Sequence, residues 1–105
     1  MKLMRQGDVI LHQTHKFIDT ENWGARERPD LVLAEGEVTG HAHRITEGEA
    51  ELYDLRSRLY LRVNSETAML THEEHRAIAI PKGDWIVRIQ REYEPGSWRW
   101  RWVAD

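Results

Sequence analysis

Two short segments carry the residues most able to do chemistry. GHAHRITEGEAEL, residues 40–52, sets His41 and His43 two positions apart, and HEEH, residues 72–75, sets His72 and His75 three apart. They hold four of the six histidines; His12 and His15 stand apart from them. On a β-strand, H-x-H puts two imidazoles on one face with Cα atoms about 6.6 Å apart, from which both reach one ion at roughly 2.1 Å. HEEH is too short to be two strand positions in phase, so His72 and His75 converge only if the chain turns between them. There is no cysteine, which excludes disulfides, thiolate zinc sites and cysteine nucleophiles and leaves any metal to His, Asp and Glu. Four neutral imidazoles, or three with a carboxylate, suit Zn, Fe, Ni, Cu or Mn. The expected ligands are His41, His43, His72 and His75, and the expected cofactor is a divalent transition metal such as Zn, Fe, Ni or Mn.

The elements that must position them read as all-β. Apolar residues alternate over short runs, and Gly, Pro, Asn and Ser punctuate them. Strands are expected at Asp8–Thr14, Leu31–Ala34, Glu37–Thr46, Glu49–Leu55, Arg58–Asn64, Thr67–His72, Ala77–Ile80, Asp84–Glu92 and Ser97–Ala104. No window keeps helical spacing for ten residues, and Lys16–Asp30 reads as a long polar loop. With Glu47-Gly48, Arg56-Ser57 and Ser65-Glu66 as two-residue hairpin loops, one face collects His41, His43, Ile45, Ala50, Leu52 and Asp54. It continues through Leu59, Leu61, Val63, Ala68, Leu70 and His72. The histidines thus share a face with the apolar set, and Tyr53 pairs with Tyr60 on the other face. In a flat meander His41 and His72 would be three strands, roughly 14 Å, apart. One ion can hold both only if the sheet curls, as a small barrel does, or if the strands pair with other neighbours.

GHAHRITE resembles the first motif of the cupin superfamily, H-x-H followed by Glu, with His41, His43 and Glu47 at matching positions. Pro81-Lys82-Gly83 resembles the P-x-G of the second motif, but Ile86 stands where that motif has its histidine. The opening glycine of the first motif falls one position off at Gly36, its closing glycine is Asp54, and His75 occupies the usual glycine position six before Pro81. The resemblance spans about residues 36–86 and implies a double-stranded β-helix barrel with a metal inside. It further implies that His75 or His72 replaces the missing ligand. The segments GHAHR and HEEH also resemble those of small uncharacterised bacterial proteins. Glu47 is a ligand by the resemblance but lies in a turn by the hairpin reading, where Asp54, opposite His41, is the better-placed carboxylate. Glu73 and Glu74 are further candidates, as ligands or as acceptors for a ligating histidine's second N–H.

The rest of the chain bounds the reading. Its 105 residues suit one domain, residues 1–105. The net charge of −3 provides no general field for nucleic acid or an anionic membrane. MKLMRQGDVIL turns polar too early for a signal peptide, and no apolar run nears the roughly 20 residues of a membrane span; a cytoplasmic protein is expected. In SWRWRWV, residues 97–103, Trp98, Trp100 and Trp102 share one face. They read first as a core-covering terminal strand, and otherwise as a stacking platform for single-stranded nucleic acid or as a partner surface. RQGDV (5–9) and YEPGS (93–97) read as turns without chemistry, and there is no Gly-rich phosphate loop and no Ser-His-Asp set. The expectation is a single small antiparallel β-barrel, cupin-like, with an interior histidine metal site. It would act as a metal-dependent enzyme on a small molecule, as a non-catalytic metal-stabilised module, or as an interaction domain using the tryptophan strand. Pairing of barrel edges would give a homo-oligomer.

Overall fold

A computed structural model describes residues 2–36 and 38–90. Within them the chain is all-β, with strands β1 (Leu3–Gln6), β2 (Val9–Thr14), β3 (Arg26–Glu27), β4 (Val32–Glu35), β5 (Ala42–Glu47), β6 (Ala50–Leu55), β7 (Arg58–His72) and β8 (His75–Ile89). Every pairing is antiparallel, in the order β1-β2-β8-β7-β5-β4, with β6 lying between β3 and β7. The sheet curls strongly into a half-barrel. Among the described residues no helix is long and apolar enough to cross a membrane. The tryptophan strand and the YEPGS turn lie outside the described residues.

The long strands explain the curl. β5 and β6 do not pair with each other: both run antiparallel to the same edge of β7, β5 beside Met69–Thr71 and β6 beside Arg58–Val63. The expected hairpin at Glu47-Gly48 is instead a kink between two strands laid end to end. Gly48 has φ +94°, and a Cβ there would lie 2.5 Å from the Thr67 carbonyl oxygen, so only glycine fits against β7. The second expected hairpin, Ser65-Glu66, is a bulge inside β7. Val63 faces Gly83 and Thr67 faces Pro81, so three β7 residues stand against Lys82 alone. The Ser65 hydroxyl donates to Thr67 O (2.6 Å) and accepts the Glu49 N–H (2.8 Å), which satisfies the distorted backbone. A bulge bends its strand and raises the local twist. Pro81, which divides two expected strands, sits in the continuous β8 opposite this bulge, where a missing N–H is tolerated.

Two hairpins flank β7, one from β6 and one into β8. The Arg56-Ser57 loop is as expected, with both residues at positive φ (52° and 66°) and Tyr53 facing Tyr60. The other is HEEH: Glu73-Glu74 form the loop and His72 faces His75. The expected first strand has an unforeseen partner. β1 precedes it, and Gly7-Asp8 is the β1–β2 loop, with Gly7 at φ +61°. The polar segment Lys16–Asp30 also holds a short strand, β3, paired to β6, while Ile18 packs inward at 6% exposure.

Alternation builds the core. Val9 and Leu11 of β2, Leu52 of β6, Leu61, Val63, Ala68 and Leu70 of β7, and Ile80, Trp85 and Val87 of β8 all turn into the concave face. Trp85, the largest of them, is fully buried and donates its indole N–H to Pro81 O (3.0 Å). Ile86 lies on the opposite face, between His12 and Tyr60.

Candidate metal centre

The four paired histidines gather at one end of the half-barrel, each placed by a different local device. His43 follows Ala42 on β5 and shares its inward face with Ile45. His72 is two residues beyond inward Leu70 on β7, and the two-residue loop returns His75 beside it. Ring centroids are 4.3 Å apart for His43–His72, 4.7 Å for His72–His75 and 5.7 Å for His43–His75. One nitrogen from each of these three lies within 4.8 Å of the others. His41 precedes β5, edge-on to His72 at 5.7 Å. It belongs to a second group, His41, His72 and Glu73, under the same 4.8 Å limit. The four imidazoles therefore form two overlapping donor sets joined at His72 rather than one shell.

The curl supplies what the sequence left unseen. β1 and β5 are separated by β2, β8 and β7, a flat distance of about 19 Å. Yet the side chain of Gln6, the last residue of β1, touches His43. Gln6 is 3% exposed and its amide is fully used: Nε2 donates to Leu70 O and Arg76 O, both at 2.9 Å, and Oε1 accepts from His43 Nδ1 at 2.8 Å. Both amide hydrogens go to carbonyls, so the oxygen must face the ring, and the neutral ring must carry its proton on Nδ1. The lone pair is then on Nε2, which lies 3.4 Å from Asp8 Oδ1 in the β1–β2 loop. Burial, followed by the neighbouring His72, holds the His43 pKa below its ordinary value against the opposing pull of Asp8, so the ring is neutral near pH 7.

The remaining partners are carboxylates and backbone. Glu74 Oε2 stands 3.6 Å from His41 Nδ1. Glu73 Oε1 accepts the Ala42 N–H at 3.0 Å and its Oε2 lies 3.6 Å from Arg44. That backbone bond is the first cause holding the Glu73 carboxyl below its usual pKa, and Arg44 and His41 act in the same direction. His72 Nδ1 accepts the Glu74 N–H at 3.0 Å. Two glycines leave the rings room. A Cβ on Gly7 would come 2.7 Å from His75 Nε2, and one on Gly36 would come 3.0 Å from His41 Cβ and 3.3 Å from His72 Nε2.

The carboxylates singled out beside the H-x-H lie elsewhere. Asp54 is not opposite His41: β6 pairs with β3 and β7, and Asp54 binds Arg26 (3.2 Å) and Arg28 (3.4 Å). Glu47 ends β5 as an exposed residue and joins neither donor set. His12, paired with Ile86 on the outer face, and exposed His15 also stand outside both. Gln6 and Asp8 are the residues that sequence reasoning missed. RQGDV reads locally as a turn, and nothing in it tells that the curl will carry it to a histidine 37 residues away.

Residues 5–90 match a family described as a domain of unknown function (DUF8820). The chain belongs to this family. The matched span includes Gln6, Asp8 and all four paired histidines. No curated protein and no solved structure matches the chain.

Proposed function

We propose that this protein binds a divalent transition metal, Zn, Fe, Ni or Mn, through His43, His72 and His75. One observation carries the reading: the buried His43 ring is locked by Gln6 with its Nε2 lone pair beside two more imidazoles. A histidine serving only the core needs one partner. His72 and His75 both oppose protonation of the buried His43, an arrangement that burial alone does not require and that is typical of functional sites. The Gln6–His43 pair has the form of an outer partner orienting a metal ligand. Asp8 is the nearest carboxylate to His43 Nε2 and is the candidate fourth donor. In the cupin-like reading His43 keeps its role from the first motif, and the hairpin histidines do what position 86 on the outer face does not.

His75 is the solvent-exposed member of this set, so a small molecule or water could reach an ion held there. An ion held this way supplies a Lewis acid or an activated water. The second reading, a metal-stabilised module, is favoured by the donors' origin. β5, the β7–β8 hairpin and the β1–β2 loop would be tied together by one ion, which then adds its binding energy to folding. Metal analysis of the purified protein and calorimetric titration of stripped protein with Zn²⁺ test both. One ion per chain is expected, with binding lost in His43→Ala; absence of retained metal together with absence of Zn²⁺ affinity refutes both. A melt before and after chelation separates them, since a large loss of stability identifies the structural role.

A further inference from the structure

The second donor set, His41, His72 and Glu73, differs from the first in chemistry and in exposure. It offers two imidazoles and one carboxylate instead of three imidazoles. Two of its three members have an outer partner of the kind a ligand uses: Glu74 beside His41 Nδ1, and the Ala42 N–H on Glu73 Oε1. The space between is kept open by Gly36. No left-handed φ calls for glycine there, whereas a Cβ would crowd His41 and His72 Nε2. A neutral imidazole has one lone pair, so His72 serves one ion at a time.

Resting on the metal-binding reading above, we infer that His72 is a pivot between two mutually exclusive metal seats. The inner seat is His43, His72 and His75; the rim seat is His41, His72 and Glu73, and it prefers the harder ions Mn²⁺ and Fe²⁺. The preference follows from donor type: imidazole suits Zn, Cu and Ni, carboxylate oxygen suits Mn, and two histidines with one carboxylate and open positions suit Fe(II). The identity of the ion thus decides which seat is filled.

The test uses Zn²⁺ by calorimetry and Mn²⁺ by electron paramagnetic resonance on stripped full-length protein, with His75→Ala, His41→Ala and Glu73→Gln. Ligand loss is expected to weaken the affected seat roughly ten- to a hundredfold. His75→Ala should do so for Zn²⁺ while changing Mn²⁺ affinity by less than about threefold, and His41→Ala and Glu73→Gln should do the reverse. In the unmodified protein Zn²⁺ should displace Mn²⁺ at a total of one ion per chain. Three results overturn the two-seat inference and leave the inner seat standing: Zn²⁺ binding with no Mn²⁺ binding, equal loss of both ions in every variant, or two ions bound together. If neither ion binds, the metal reading itself falls. Circular dichroism of each variant identifies misfolding, and Glu73→Gln, at an exposed loop position, tests the rim seat without disturbing the core.

Discussion

Gln6→Ala is the sharpest single perturbation of the centre, because it removes three hydrogen bonds at once, two of them buried and one partly buried. Two are donated by Nε2 to Leu70 O and Arg76 O, and one is accepted from His43 Nδ1. A buried polar group stripped of its partner costs about 1–3 kcal/mol. The two carbonyls fall at the low end, since each oxygen has a second lone pair, whereas the His43 N–H has no second option. Together these give about 2–4 kcal/mol, which for a domain of this length lowers Tm by roughly 10–25 °C. The same change frees the His43 ring to rotate and exchange tautomers, and loss of such an outer partner weakens metal binding about 10–100-fold.

Gln6→Glu separates the two effects. A carboxylate still accepts the Nδ1 proton, so much of the metal affinity should survive. It has no N–H for Leu70 O and Arg76 O and sets negative oxygens against them, so the stability loss should remain. The assays are thermal melts in chelator and Zn²⁺ calorimetry. A Gln6→Ala protein that melts within about 3 °C of the unmodified one and binds Zn²⁺ within about threefold would show that Gln6 neither holds the seam nor orients His43.

Three other outcomes follow from the same geometry. Ligation through either nitrogen of a neutral His72 ring needs the other nitrogen protonated, which breaks the bond accepted from the Glu74 N–H; metal should shift the Glu74 amide resonance and speed its hydrogen exchange, and an unmoved Glu74 signal on saturation would remove His72 from the ligand set. Gly7→Ala places a Cβ 2.7 Å from His75 Nε2 at a left-handed φ, so it should cost about 1–2 kcal/mol in backbone strain and reduce Zn²⁺ affinity at least roughly tenfold, read by melt and titration. The His43 pKa is lowered by burial, so in acid the unfolded chain takes up a proton there that the folded chain refuses. This contribution to stability is complete above the ordinary histidine value of 6.5 and is lost as the pH falls from there through the folded pKa. Chelated protein should therefore melt progressively lower as the pH falls below 6.5, and His43→Gln should flatten that slope.

Period-2 alternation made the inward face readable before the strand neighbours were. Ile45, Leu52, Leu61, Val63, Ala68 and Leu70 turn inward as their spacing predicts, and His43 and His72 go with them. The assignment survived two wrong hairpins because facing depends on parity within a strand, and the Glu47-Gly48 kink and the Ser65 bulge preserve the facing on either side. The neighbours did not survive, because a positive-φ glycine and a bulge carry the same residue types as a two-residue loop. Only the β7 contact, made by residues distant in sequence, tells them apart. Asp54 was misplaced for that reason: with β5 and β6 laid end to end it moves along β7 to the arginines of β3. Gln6 and Asp8 were hidden by distance, since what makes them part of the centre is the closing of β1 on β5 by a curl that no local pattern states.

The position of the centre in the sheet bears on its chemistry. Of the fully buried residues, Leu52, Leu61, Val63 and Trp85 lie where β6, β7, β8 and β2 run side by side beyond the bulge, and Ala68, Leu70 and Ile80 lie on its near side. The histidines occupy the other end, where β1, β5 and the β7–β8 loop meet. The buried core thus runs to both sides of the bulge, and His43 lies on its inward face beside Ile45. At this seam Gln6 covers the His43 ring, while His75 stands exposed. An ion there would add RT ln(1 + [M]/Kd), about 2.7 kcal/mol at a hundred times Kd, to the stability of the folded sheet. A structural metal in a small domain more commonly replaces a core than decorates one. The exposure of His75 is the feature that would let an ion held there act on a bound molecule as well as tie the strands together.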